Sequence, residues 1–304
     1  MKIFRSIDID ETVFTATNAV ETVALWNAGT TYAVDAEARS DTTHRIYRSL
    51  QASNTNHDPE VDVDPESGLG EWWQDVGPTN AWAMFDPVNL TQTSVADGIA
   101  VTLEPSGLVN AIALFNLEAS SVTVTITDDD AGEVYNETFD LISTGNVGDD
   151  FYAWCFEPII RRTDLHVENL PAYLGAQVDI AIDNPGGMAR CGNCVAGAQR
   201  QLGETAWGFE TGNISYSRRI EDDFGNIKLV RRPSRKRASF QVLVRRAFRD
   251  EVSRLLDLYE SEPIVFIGTG QFAATIIYGF YTRYDLRGDN VPESTLSITI
   301  EGFV

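Results

Sequence analysis

The sequence predicts a mainly β protein: a β-sandwich of the jelly-roll kind, followed by a small α+β domain in which one helix lies on a sheet. Three observations carry this reading. Short β-branched or alternating runs recur between residues 29 and 183, separated by Gly- and Asp-rich turns. A strong breaker, Asn184-Pro185-Gly186-Gly187, then opens a Gly-rich stretch. Beyond it, one window carries helical spacing: Phe248, Val252, Leu255, Leu256 and Tyr259 fall at i, i+4, i+7, i+8 and i+11.

Taken in order, residues 1–28 alternate weakly around Phe4, Val13, Phe14 and Trp26, which predicts an arm of one or two strands that pairs back onto the C-terminal domain. The predicted sandwich, 29–183, draws its strands from Tyr32–Val34, Arg45–Leu50, Ile99–Leu103, Ala111–Leu117, Val122–Thr127 and Gln177–Ile182. Gly68, Gly70, Asp97-Gly98 and Gly145–Gly148 punctuate it. VTVTIT followed by DDDAG and EVYNETF, within Ser120–Asp140, predicts a hairpin. Residues 184–304 read as an ordered connector and an assembly domain. There, Tyr216–Arg219 and Ile227–Val230 flank a turn at Asp223-Phe224-Gly225-Asn226, and Phe240, Val242 and Val244 alternate along a strand. Pro263 ends the helix, and strands follow at Ile264–Ile267, Thr275–Tyr281 and Thr295–Ile300.

The 304 residues favour two domains, and 43% hydrophobic residues with 22% charged excludes disorder as the main state. No run approaches the roughly 18–20 apolar residues of a membrane-spanning helix, and MKIFRSIDIDET lacks the apolar region of a secretory signal. Net charge is −22, and it is unevenly placed. Residues 1–150 hold 5 Lys/Arg against 26 Asp/Glu, whereas residues 151–304 hold 18 against 19. That acidic field argues against nucleic acid and membrane insertion. Within the second half, 12 basic residues against five acidic ones lie between Ser217 and Arg254, densest at Arg231, Arg232, Arg235, Lys236 and Arg237. Aromatics are not interleaved there, as single-strand binding would require. Two readings of this stripe compete: a solvated face with internal ion pairs, and a partner interface that includes copies stacking head to tail.

The chemistry-bearing window is Trp72–Asp86. Read as extended chain, Asn80, Trp82, Met84 and Asp86 share one face, and the adjacent Trp72 and Trp73 point to opposite faces. Either the tryptophans anchor a core, or an exposed one beside Asn80 or Asp86 offers a sugar ring a stacking platform and hydrogen-bonding groups. Cys191-x-x-Cys194, with Cys155 and His166, would supply an irregular zinc set, a disulfide, or buried free thiols. Asp58, Glu60, Asp62, Asp64 and Glu66, and the tip Asp128–Asp130, are the only Ca²⁺ candidates, and neither has EF-hand spacing. No cofactor or resident metal is expected. GxSxG and Walker loops are absent, and His44, His57 and His166 form no zinc-protease spacing. The expectation is therefore no catalytic residues and no enzyme, with a carboxylate pair meeting in space left open.

The run WWQDVGPTNAWAMFD resembles the signature of a domain common in tail proteins of tailed bacteriophages, one often labelled carbohydrate-binding. Similar to the rest of that family are Cys191–Gly197, Leu202–Thr205, Tyr216–Arg219 with Asp223–Asn226, Ile277–Tyr281 and Leu296–Gly302. The resemblance covers roughly 30–304. It implies a discoidin-like β-sandwich and a structural subunit of the virion tail, at the tail tip or baseplate, assembled in the host cytoplasm. The implied partners are other tail proteins, further copies of the chain as a homo-oligomer or ring, and host glycans. The alternative is a carbohydrate-binding module for host receptor recognition, and a third reading is an enzyme degrading polysaccharide. Under the glycan reading the contact residues are Trp72, Trp73, Asn80, Trp82 and Asp86.

Overall fold

A computed structural model describes residues 1–141, 161–221, 226–270, 272–288 and 292–303. The chain is mainly β, as the patterning predicted. A five-stranded antiparallel sheet runs in the order Gly132–Asp140, Ser121–Asp128, Gln177–Cys191, Thr93–Leu103, Phe14–Thr17. It faces a three-stranded sheet of Leu165–Val167, Ala111–Phe115 and Asn193–Gly197. Alternate residues fill the space between: Val122, Val124 and Ile126 from one strand, Val178, Ile180 and Ile182 from the next, Ile112 and Leu114 from the opposing sheet. The predicted hairpin forms, with Ser121 opposite Asp140. Asp128 turns its tip by accepting from the Asp130 and Ala131 amides, and Gly132 supplies the positive φ of 75°.

Two boundaries differ from expectation. The joint at residue 184 is corrected, because the strand Gln177–Cys191 continues through it. Asn184 pairs with Asp97 and Met188 with Ala96, so Pro185–Gly187 bulge out of a ladder that then resumes. The Asn184 side chain spans the bulge, donating to the Met188 carbonyl at 2.9 Å. Asn193–Gly197 then pairs with Ala111–Phe115, so the sandwich extends to residue 197. At the other end, the sandwich does not absorb residues 29–78. The strands Glu37–Arg39, Arg45–Ser49 and Trp73–Pro78 form a separate small sheet with its own core of Ala38, Tyr47, Val63 and Trp73.

The second large sheet runs Arg200–Gln201, Lys2–Arg5, Ile264–Ile267, Ile276–Arg287, Glu293–Gly302, Ser234–Arg245, Glu204–Thr205, with Glu210–Ser215 also on the Ser234–Arg245 strand. Its first and last strands are joined in the chain only by Leu202 and Gly203, so the sheet curls round into a barrel-like body, with no ladder between those two strands among the described residues. Inside it lie Ile3, Phe240, Val242, Val244, Phe266, Leu296, Ile298 and Ile300. The helix Arg249–Leu258 adds Val252 and Leu256 to that core, and Asp250 and Glu251 in its first turn suit the helix dipole.

Period-two alternation also joins the two bodies. Ala111, Ala113 and Phe115, the backs of the three-stranded sheet, pack with Val195 against Phe4, Val265, Ile267 and Ile276 of the barrel. Every residue of Ala111–Phe115 and of Ile264–Ile267 is consequently buried.

An arm leaves the barrel. Glu210–Ser215 pairs with Ser234–Ser239, and beyond it Arg218–Glu221 pairs with Ile227–Val230. All four residues of Arg218–Glu221 are exposed. Of the predicted turn, Asp223, Phe224 and Gly225 lie outside the described residues.

Candidate functional site

The window Trp72–Asp86 is not one extended chain. Its strand stops at Pro78, and residues 79–86 turn into a short 3-10 helix at Ala83–Phe85. The expected sharing of one face by Asn80, Trp82, Met84 and Asp86 is therefore corrected: Ala81, Ala83 and Met84 are all buried. A carboxylate builds the turn. Glu21 accepts from the Asn80 amide at 2.9 Å and the Ala81 amide at 2.7 Å. The Asn80 side chain is spent on structure too, accepting from the Ser94 amide at 2.9 Å and donating to the Ser94 carbonyl at 3.0 Å.

Trp73 is a core residue with no exposed surface, and its Nε1 donates to the His57 carbonyl at 2.8 Å. Trp72 is half-buried and stacks on the His57 ring, with centroids 3.8 Å apart. The acidic run before them is not a ligand ladder. Asp58 caps the helical turn Pro59–Asp62, and Asp62 accepts from the Trp72 and Trp73 amides at 2.8 and 2.9 Å. Asp64 binds its own loop through the Glu66 amide and the Ser67 hydroxyl. Gly70 is required here, since a Cβ would lie 2.2 Å from an Asp62 oxygen.

Trp82 and Asp86 are the two expected contact residues that the fold brings to one cleft; Trp72, Trp73 and Asn80 do not line it. The cleft has a volume of about 400 Å³, and Ile9, His44, Phe85 and Tyr278 share its walls. The Trp82 ring lies parallel to His44 at 3.9 Å and meets Phe14 edge-on at 5.0 Å. His44 holds a positive φ of 54°, and burial lowers its pKa below the usual imidazole value although Glu11 sits 3.5 Å away. Tyr278 is pushed up to about 12 by burial, with the Asp86 charge acting in the same direction. A second groove of about 600 Å³ adjoins the first through Ile9, His44 and Trp82, and carries Asp10, Glu11 and Asp41. The composite surface is aromatic and acidic. Its lone lining guanidinium, Arg45, is engaged by Asp75.

The basic stripe divides. Arg235 pairs with Glu301 at 2.7 Å and lies over the Tyr216 ring, and Lys236 pairs with Asp164. These two take part in internal ion pairs. Arg231, Arg232 and Arg237 are exposed and, like Arg218 and Lys228, make no ion pair among the described residues. Apolar side chains accompany them on the arm: Leu229 is 73% exposed and Ile227 55%. Trp207, at the arm's base, is 82% exposed and stacks loosely on Phe209. Sequence reasoning missed Trp207, Glu21, His44 and His57. Gly208 beside Trp207 was the one local signal, while the other three act through partners distant in sequence.

Cys191 and Cys194 are buried free thiols in the sandwich core, and desolvation raises both, Cys194 to about 12. Cys155 lies outside the described residues. Among the described residues no group of three or more His, Cys, Asp or Glu side chains is arranged to hold a metal ion, and no helix is long and apolar enough to cross a membrane.

No protein-family model matches the chain. No curated protein matches it either. Among solved structures, a variant of chitosan-binding module 1 from a chitosanase/glucanase of Paenibacillus sp. IK-5 aligns over 38% of this chain and 83% of the module, at 13% identity and a TM-score of 0.26. A likeness at that level carries no argument about function.

Proposed function

We propose that this chain is a structural subunit of a bacteriophage tail, at the tail tip or baseplate, and that it works by docking against neighbouring tail proteins in the virion. It performs no catalytic step in this reading. The observation that carries it is the arm. An isolated two-stranded hairpin is marginal in water, yet Arg218–Glu221 and Ile227–Val230 expose Ile220, Ile227 and Leu229 beside Arg218 and Lys228, which make no ion pair among the described residues. Exposed aliphatic side chains on a protruding element favour a role in contact. The sequence resemblance gives the setting. The test is Arg231→Glu with Arg232→Glu, which leaves the ion pairs of Arg235 and Lys236 intact. Unchanged melting together with failure to enter particles is the expected result; normal incorporation overturns the arm's role.

A second reading, glycan contact at the virion surface, is favoured by one observation: Trp82 and Asp86 line a common cleft with His44. Asp86→Asn keeps the side chain's shape and its contact with Thr91. Saturable binding on a glycan array that this change weakens would support the reading, and uniform silence on the array would end it.

A further inference from the structure

The acidic groove and the basic arm lie on the same chain, and their chemistries match. We propose that the neighbour received by the arm is a second copy of this chain, and that the arm docks into that copy's groove beside Trp82 and His44. The inference rests on the assembly reading and names the partner for it.

The arm sets the requirement. Residues directly opposite in an antiparallel pair share a face. Arg218 lies opposite Val230 and Ile220 opposite Lys228, so one face carries Ile220 and Val230 flanked by two cations that make no ion pair among the described residues. On the other face, Leu229 lies opposite Arg219 and Ile227 opposite Glu221. Arg219 and Glu221 pair with each other at 2.8 Å, which leaves the aliphatic side chains as that face's free surface. Arg231 and Arg232 follow at once in the chain, both exposed. A surface that covers this arm must be apolar and negatively charged together.

The groove meets both conditions. Ile9, Phe85 and Trp82 give it apolar walls, while Asp10, Glu11 and Asp86 give it charge. Asp8, which pairs with Arg5 at 3.2 Å, and Glu11, 3.5 Å from His44, keep 94% and 73% of their side chains exposed at its rim. His44, whose pKa is lowered, adds little opposing positive charge at neutral pH. Arm and groove are different patches, so the contact is heterologous: each docked copy still offers its own arm and its own groove, and the contact repeats until it closes as a ring or continues as a filament.

Sedimentation of the full chain over a concentration series tests this. The wild-type chain is expected to self-associate, with affinity falling about tenfold or more at high salt, as association led by opposite charges does. Two variants reverse one surface each: Arg231→Glu/Arg232→Glu on the arm and Asp8→Lys/Glu11→Lys at the groove. Each alone should remain monomeric with an unchanged circular dichroism spectrum. An equimolar mixture should associate, because both reversed surfaces then find opposite charge. Should the lysine variant fail to fold, Asp8→Asn/Glu11→Gln should weaken association in the same direction. A wild-type chain monomeric throughout overturns the inference, and so does a groove variant that associates like wild type. Either outcome, with the arm still needed for entry into particles, leaves the assembly reading standing and moves the partner to another protein.

Discussion

Replacing Trp73 by Ala should unfold the small sheet of residues 37–78 while the sandwich and barrel stay folded. Trp73 is wholly buried, packs edge-on to Tyr32 with centroids 5.1 Å apart, and donates to the His57 carbonyl. Removing the ring and leaving that carbonyl unpaired should cost about 4–6 kcal/mol locally. What remains of the fully buried set is Ala38, Tyr47 and Val63, which is too little apolar area to hold three short strands. Trp73→Phe keeps most of the area and loses the hydrogen bond, so it should cost only about 1–2 kcal/mol. Thermal melting combined with limited proteolysis separates the outcomes. The Ala variant should show an early partial transition with new cleavage confined to residues 24–78, and the Phe variant should not. A single transition at the wild-type temperature, with no new cleavage in the Ala variant, would refute a separate core organised by Trp73.

Leu256→Ala should destabilise the barrel by about 2–5 kcal/mol, and Leu255→Ala by less, because Leu256 is fully buried and Leu255 only partly; equal shifts in urea midpoint would place the helix face wrongly. Cys191 and Cys194 should resist alkylation at pH 8 in the native protein and react after denaturation, which mass-spectrometric mapping checks, since burial holds both thiols protonated. Acidification should weaken the fold. His44 and His166 both have folded pKa values lowered by burial, partly offset by Glu11 and Glu21 for the first and by Glu168 for the second. The unfolded chain therefore binds more protons below about pH 6.5, and stability falls from there until the folded values are passed. A urea midpoint that is flat between pH 7.5 and pH 5.5 would contradict this.

Strands with clean alternation were legible in the sequence. Val122, Val124 and Ile126 face one core, Phe240, Val242 and Val244 another, and the helix Arg249–Leu258 sits where its spacing put it. Breakers misled where backbone geometry overrode composition. Asn184-Pro185-Gly186-Gly187 does break the ladder, but only by a bulge, because Asn184 bridges the gap and the strand finds its register again. The candidate site was legible in part. Trp82 and Asp86 share a cleft, whereas the alternation that grouped them with Asn80 does not exist. Glu21 decides that turn from some sixty residues away, and no local pattern reports such a contact. The stripe was visible as charge, but which of its cations are held in internal pairs depends on Glu301 and Asp164, which only the folded chain brings near.

The packed junction between the two large bodies bears on how the arm can act. Ala111 and Ala113 keep the back of the three-stranded sheet flat, and the chain approaches so closely that a Cβ on Gly197 would lie 2.0 Å from the Arg5 carbonyl oxygen. Contact of that closeness, with Phe4 and Phe115 filling the remainder, makes sliding between sandwich and barrel costly in both packing and hydrogen bonds. The Ile7 amide bonding to the Ala196 carbonyl at 2.8 Å ties the same junction. The barrel strand Ser234–Arg245 that anchors the arm therefore holds a fixed orientation relative to Phe85 and Trp82, the groove wall packed on the sandwich core, while Asp41 and His44 enter the groove from the small sheet. Fixed relative orientation is what a repeating heterologous contact needs, since each copy must present the next groove at a constant rotation if the assembly is to close. Gly197→Val should disturb this junction and loosen that orientation. With the monomer still folded by circular dichroism, the expected result is assemblies of mixed size; a uniform assembly of wild-type size would show that the junction does not govern the geometry.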